Sequence, residues 1–282
     1  MSICEIRILP RPPLLVACMM ALAGCGGGGS DVAPTIGPTA EGVYGGTLTG
    51  SASNAFQLLV LENGDFWAMY GTQADGVFGV AGFIQGSGTS TSGRFTSSST
   101  EDFGFAPAMP GSTSATYDAA AKTIAGTFVA GGTSVAFSGG PIAGSLYNYN
   151  TPATLASIAG AWSIPSPLGQ TNSLVIDATG ALTATATIGC SFSGTLTPRQ
   201  SGKNVFNASL TFGARPCALA GQTATGIAVA YPLSSGQTQL LIAVVDASRT
   251  IGAAVSRIGV VRPLGVSPLP PFAATPNPRG SE

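Results

Sequence analysis

The chain of 282 residues contains no histidine. Ser-His-Asp and Cys-His catalysis, histidine proton relays and H-E-x-x-H metalloprotease sites are thereby excluded. Charge is scarce as well: Asp, Glu, Lys and Arg together make up 8% of the residues, against about 25% in an ordinary soluble domain. The basic residues form no run, and neutralising a phosphate backbone needs clustered Lys and Arg, so nucleic-acid binding has no footing. Electrostatic capture of an anionic membrane surface fails for the same reason. The two lysines, Lys122 and Lys203, stand in no Ser-x-x-Lys. Gly132-Thr133-Ser134-Val135-Ala136, the nearest approach to a nucleophile elbow, lacks its final glycine and its base.

What is present is apolar residues at 44%, enough for a sizeable core, and 40 glycines. Ser and Thr fill most of the remaining polar positions. Such a chain meets water with hydroxyls and backbone, and any partner through shape, hydrogen bonds and apolar contact.

The N-terminus carries Arg7 and Arg11 ahead of an apolar run at residues 14–24, eleven residues that are too short to cross about 30 Å of hydrocarbon as a helix. The run ends in Leu22-Ala23-Gly24-Cys25, which resembles the lipobox of bacterial lipoproteins. The resemblance implies removal of residues 1–24 as a signal segment, diacylglycerol on the Cys25 thiol and acylation of the new amine. It also associates Asp at the next position with inner-membrane retention; Gly26 stands there, so the expectation is an outer-membrane protein. Residues 25–40, rich in Gly and Pro, read as a flexible tether. Gly24 to Gly29 also satisfy G-x-G-x-x-G, but no strand precedes and no helix follows, so no dinucleotide cofactor is expected.

From residue 41 onward, strand signals recur every 8–12 positions, with turn residues between them. Phe56-Gln57-Leu58-Leu59-Val60-Leu61 and Phe66-Trp67-Ala68-Met69-Tyr70 flank Asn63-Gly64, a dipeptide suited to positive φ at both central turn positions. Further strands are expected at 113–118, 123–130, 133–138, 173–176, 182–188, 191–197, 205–212, 223–231, 239–245 and 251–257. The fold class is therefore all-β, as two antiparallel barrel or sandwich modules, 41–145 and 160–262. A linker, 146–159, contains one or two helical turns near Leu155, and a proline-rich tail, 263–282, follows.

The modules echo each other. Gly42-Val43-Tyr44 returns 118 positions later as Gly160-Ala161-Trp162, and Leu59-Val60-Leu61 with its turn returns as Leu174-Val175-Ile176 with Thr179-Gly180. A glycine-aromatic opening followed by consecutive hairpins resembles the small up-and-down barrels of the lipocalin-like type. It is also similar to the barrel modules of bacterial surface lipoproteins of the transferrin-binding type, in which Tyr117-Asp118 to Gly126 would be a typical hairpin. Both resemblances speak to architecture.

Of five cysteines, the lipobox resemblance implies that Cys4 and Cys18 leave with the leader and that Cys25 takes lipid. Cys190 and Cys217 remain, an even pair in an oxidising compartment, and a disulfide is expected. Without histidine or C-x-x-C they make no zinc site, and no metal is expected. Carboxylates at Glu62, Asp65, Asp75, Glu101, Asp102, Asp118, Asp177 and Asp246 are the remaining material for acid-base chemistry. Glu62, Asp65, Asp177 and Asp246 fall in predicted turns, and Glu101-Asp102, read as part of a loop at 97–103, lacks an alternating calcium-ligand pattern. Phe66, Trp67, Tyr70, Phe78 and Phe83 are either core or a surface for a glycan or apolar ligand. Arg199, Lys203 and Arg215 read as a solvated rim beside the cysteine loop.

These readings point to a lipid-anchored envelope protein without enzymatic activity, serving binding, adhesion or structure through an unknown protein, glycan or apolar small molecule. The alternative is a carrier holding a small apolar ligand inside a barrel. An apolar cavity walled by the aromatics would favour the carrier; filled interiors would favour a structural role.

Overall fold

The computed structural model describes residues 39–74, 76–165, 171–186 and 189–259. The leader, Cys25, nearly all of the tether and the proline-rich tail lie outside the described residues.

The architecture is all-β and consists of two closed barrels, each an eight-stranded antiparallel meander. Barrel rather than sandwich is thus the form both modules take. The first contains β1 (Gly42–Thr49), β2 (Ala55–Val60), β3 (Asp65–Ala74), β4 (Val77–Thr91), β5 (Arg94–Asp102), β6 (Met109–Asp118), β7 (Thr123–Ala130) and β8 (Thr133–Gly140). It closes where β1 pairs with β8, for instance Thr47 opposite Ser138. The second contains β9 (Gly160–Pro165), β10 (Thr171–Ile176), β11 (Ala181–Thr185), β12 (Ser191–Pro198), β13 (Phe206–Phe212), β14 (Thr223–Pro232), β15 (Thr238–Asp246) and β16 (Gly252–Gly259). It closes where Ile258 of β16 meets Ser163 of β9. Between the barrels the chain makes one short 3₁₀ turn, Leu155–Ser157.

Two expectations about backbone conformation need correction. Residues 97–102 of the expected loop 97–103 are the end of β5, and only Phe103 lies in the turn that follows; Ser97, Thr100 and Asp102 turn inward and are buried. Three polar residues on one face conceal the apolar alternation by which a strand is normally read. The Asn63-Gly64 turn is also not the form expected. Only Gly64 has positive φ, +84°, with the Gly64 N–H donating to the Leu61 carbonyl and the Leu61 N–H to the Asp65 carbonyl. That is a type I turn closed by a left-handed glycine.

The echo between the modules has a structural counterpart. Asp177, Gly180 and Ala181 repeat the bonds of Leu61, Gly64 and Asp65, with Gly180 at φ +85°. In both turns the glycine carbonyl then accepts an N–H from a strand two further along, Gly88 in one barrel and Leu196 in the other. The two barrel openings also match. The Tyr44 hydroxyl donates to the Ala40 carbonyl at 2.8 Å, and the Trp162 indole N–H donates to the Ile158 carbonyl at 2.8 Å. Each ring is fully buried, sealing one end of its barrel and reaching back four residues to fix the entering chain. Burial, aided by the charges of Tyr117 and Glu41, pushes the Tyr44 phenol up to about 12, so it remains a donor at neutral pH.

The barrels share an apolar seam. Outward faces of β2, β3 and β4 (Leu59, Trp67, Met69, Phe83) pack on outward faces of β14 and β15 (Ile227, Val229, Leu241, Ala243, Val245). Inward faces of the same strands serve the barrel interiors, which is why β2 is buried at every position. The seam contains a polar clamp. Gln239, 1% exposed, accepts the Phe78 N–H at 3.3 Å and donates to the Phe78 carbonyl at 2.6 Å, while Ser256 donates to the same carbonyl at 2.8 Å. Buried backbone of β4 is thereby satisfied by side chains of the other barrel.

Candidate functional site

The first barrel is hollow. A cavity of about 590 Å³ lies inside it, walled by Phe56, Leu58, Phe66, Ile84, Phe95 and Phe137 among others, with Phe105 and Met109 at its mouth. The mouth is formed by the β1–β2, β5–β6 and β7–β8 connections, through Ser51, Ser53, Gly131 and Thr133. Its floor is the end plugged by Tyr44, where Val60, Tyr117 and Ile124 close over the ring. The chain therefore enters the barrel at the pole opposite the mouth.

Strand alternation sorts the five aromatics that the sequence groups together. Phe66 and Tyr70 occupy inward positions of β3 and line the cavity. Trp67, Phe78 and Phe83 occupy outward positions and belong to the seam. There Trp67 stacks on Phe83 at 5.9 Å between ring centres, and Phe83 on Phe103 at 5.0 Å. For these three, core packing is the outcome, with Trp67 also bordering a polar cleft beside Arg199 and Arg249. Phe56, Phe95, Phe128 and Phe137 line the cavity and were not singled out from sequence, although each stands at an inward position of its strand.

Tyr70 is placed with care. The β3–β4 ladder shifts register between Tyr70 and Gly71, and bulges of this kind re-aim a neighbouring side chain. The ring lies across Gly82, where a Cβ would come within 2.3 Å of the phenol oxygen, and against Gly104, where it would come within 1.9 Å. The hydroxyl donates to Asp102 Oδ1 at 2.7 Å, and the Gly104 N–H donates to the same oxygen at 2.8 Å. Burial, reinforced by the hydrogen bond to Asp102 and its charge, raises the Tyr70 pKa. The pair is a polar spot in a wall that is otherwise apolar apart from a few hydroxyls.

The second barrel is packed. Leu174, Ile176, Leu182, Leu196, Leu210, Leu240, Ile242 and Val244, with Trp162, Phe192, Phe206 and Phe212, form one continuous buried cluster. Cys190 and Cys217 are disulfide-bonded, Cα atoms 4.7 Å apart, and tie the start of β12 to the β13–β14 connection.

The remaining carboxylates stand apart from one another in structural roles. Asp118 caps the β6–β7 turn through the N–H groups of Ala120 and Ala121. Asp177 does the same for Thr179 and Ala181. Asp65 bonds Asn63 and Ser87. Asp246 is no solvated turn residue: it is 5% exposed and accepts from Ser248, Thr250 and Ile251. Burial opposes its charge, but these hydrogen bonds prevail and hold its carboxyl at about 2. Asp75 lies outside the described residues. Glu62 and Glu101 join the barrels through ion pairs with Arg199 at 2.7 Å and Arg249 at 2.8 Å, and Glu41 pairs with Lys203 at 2.6 Å. Arg199 and Lys203 are therefore inter-barrel contacts; of the three rim cations read from sequence, only Arg215 is exposed. No protein-family model, curated protein or solved structure matches the chain.

Proposed function

We propose that this is a lipid-anchored envelope protein that binds a small apolar ligand without transforming it, the ligand held in the first barrel. In this reading Cys25 carries the lipid, the outer membrane is the site of attachment, and the second barrel is the rigid support. The observation that carries the reading is the 590 Å³ cavity walled by aromatic and aliphatic side chains and open at one pole. Clefts of about 300–1,000 Å³ with apolar walls and a few placed polar groups are the usual form of small-molecule sites. A wall of this kind gives a ligand a dry, preformed surface at little conformational cost. The packed second barrel favours the division of labour, since it shows that the same fold can fill its interior.

Native mass spectrometry of the protein purified from its own host tests the proposal. A co-purifying apolar molecule that is lost in Ala68→Trp is the expected result. A ligand-free protein that also takes up no apolar fluorophore would overturn it.

A further inference from the structure

Resting on the reading of the first barrel as a binding site, we infer that its ligand is an amphiphile with a hydrogen-bond-donating head group, best served by a primary ammonium, and that carboxylate amphiphiles are rejected. The argument is a donor and acceptor account of the cavity wall. Tyr70 spends its only proton on Asp102 Oδ1, so the phenol oxygen faces a ligand as an acceptor. Asp102 Oδ1 also takes the Gly104 N–H, while Oδ2 receives no hydrogen bond among the described residues. Thr113, on the same wall, has an acceptor in Thr100 behind it. Thr100 donates to Ser97 at 3.0 Å and Ser97 to the Ser87 carbonyl at 2.6 Å, which leaves Thr113 as donor in its 3.5 Å contact with Thr100.

Asp102, Tyr70 and Thr113 thus all offer lone pairs. The other polar side chains of the wall, Ser51, Ser53 and Thr133, are hydroxyls near the mouth that serve either role. Among the described residues, none lining the cavity is Lys or Arg. Asp102 is 7% exposed, so a second carboxylate brought beside it meets a like charge with little water between, and nothing in the wall compensates. An ammonium there gains a charge-assisted hydrogen bond, and an alcohol gains a neutral one.

The test uses the full-length protein and diphenylhexatriene, a neutral hydrocarbon fluorophore, displaced in turn by dodecylamine, dodecanol and dodecanoate below their micelle concentrations at neutral pH. The amine is expected to displace the probe at a concentration at least about tenfold lower than dodecanoate, with dodecanol between them. Asp102→Asn keeps an oxygen that accepts from Tyr70 and Gly104, and is expected to bring amine and carboxylate within about threefold of each other. Probe uptake with dodecanoate equal to or better than the amine overturns this inference and leaves the binding site standing. So does an unchanged amine preference in Asp102→Asn. Failure of the wild-type protein to take up the fluorophore overturns the binding site itself.

Discussion

The two barrels have the same strand order, the same glycine turn and the same kind of aromatic plug, yet one is hollow and the other is full. The difference lies in how inward positions are filled. In the second barrel branched aliphatics from β10 to β15 meet in the middle. In the first, several inward rings bring an edge against glycines of other strands, where a Cβ would come within 3.0 Å of the ring: Phe56 at Gly46 and Gly139, Phe66 at Gly86, Phe95 at Gly88, Phe128 at Gly111. A ring seated over a glycine takes up space beside the wall where another side chain would otherwise stand. Inward Ala68, Ala130, Thr113 and Thr133 add little volume near the mouth. Glycine abundance, which in the composition pointed to a surface of backbone and hydroxyls, also serves the interior by giving the rings a place to seat.

Breaking this contrast gives graded predictions. The largest effect is expected for Trp162→Ala, which empties the plug of the packed barrel and should destabilise the protein by about 3–5 kcal/mol in urea unfolding, whereas Phe128→Ala, beside an existing void, should lose about 2 kcal/mol. Replacing Cys190 and Cys217 together by Ala reopens a loop of 28 residues and should cost about 3–4 kcal/mol. The same fall should follow reduction of the wild-type protein. A sharper comparison uses added volume. Ala228→Leu, inside the packed barrel, should lose about 1–3 kcal/mol by overpacking, and Ala68→Leu should change stability by less than about 1 kcal/mol while weakening uptake of an apolar fluorophore. An equal penalty at the two sites would mean that the interiors do not differ as described.

The smallest effect concerns pH. Asp246 has a folded-state pKa of about 2, below the value of about 3.9 for an unfolded chain. Its stabilising contribution is therefore complete above about pH 4 and is lost as pH falls through 2. Asp246→Asn should be less stable than wild type at pH 5, and the gap should close as pH approaches 2, read from urea midpoints at each pH.

Much of the fold was legible because the strands alternate. Phe56-Gln57-Leu58-Leu59-Val60 and its partner around Trp67 announce a hairpin, and turn residues mark each reversal. The seam was legible in principle and was missed. Leu240 to Val245 is apolar on both faces, the pattern of a strand covered on each side, which the wall of a lone barrel does not require. The cavity was not legible. Phe66 and Tyr70 could be assigned to one face, but whether rings on that face meet or lie back depends on the glycine opposite each, and that depends on register. Asp102 was visible only as one carboxylate among eight; its partner Tyr70 stands 32 positions away and meets it only through barrel curvature. The cysteine pair, by contrast, was what remained of five once Cys4, Cys18 and Cys25 were set aside on the lipobox resemblance.

The Tyr44 plug has one further consequence. Because the chain arrives at Ala40 beneath the floor of the hollow barrel and the aperture lies across the full run of β1, entry and rim share no residues. Ala68→Leu near the aperture and Tyr44→Phe at the floor should therefore act independently of each other.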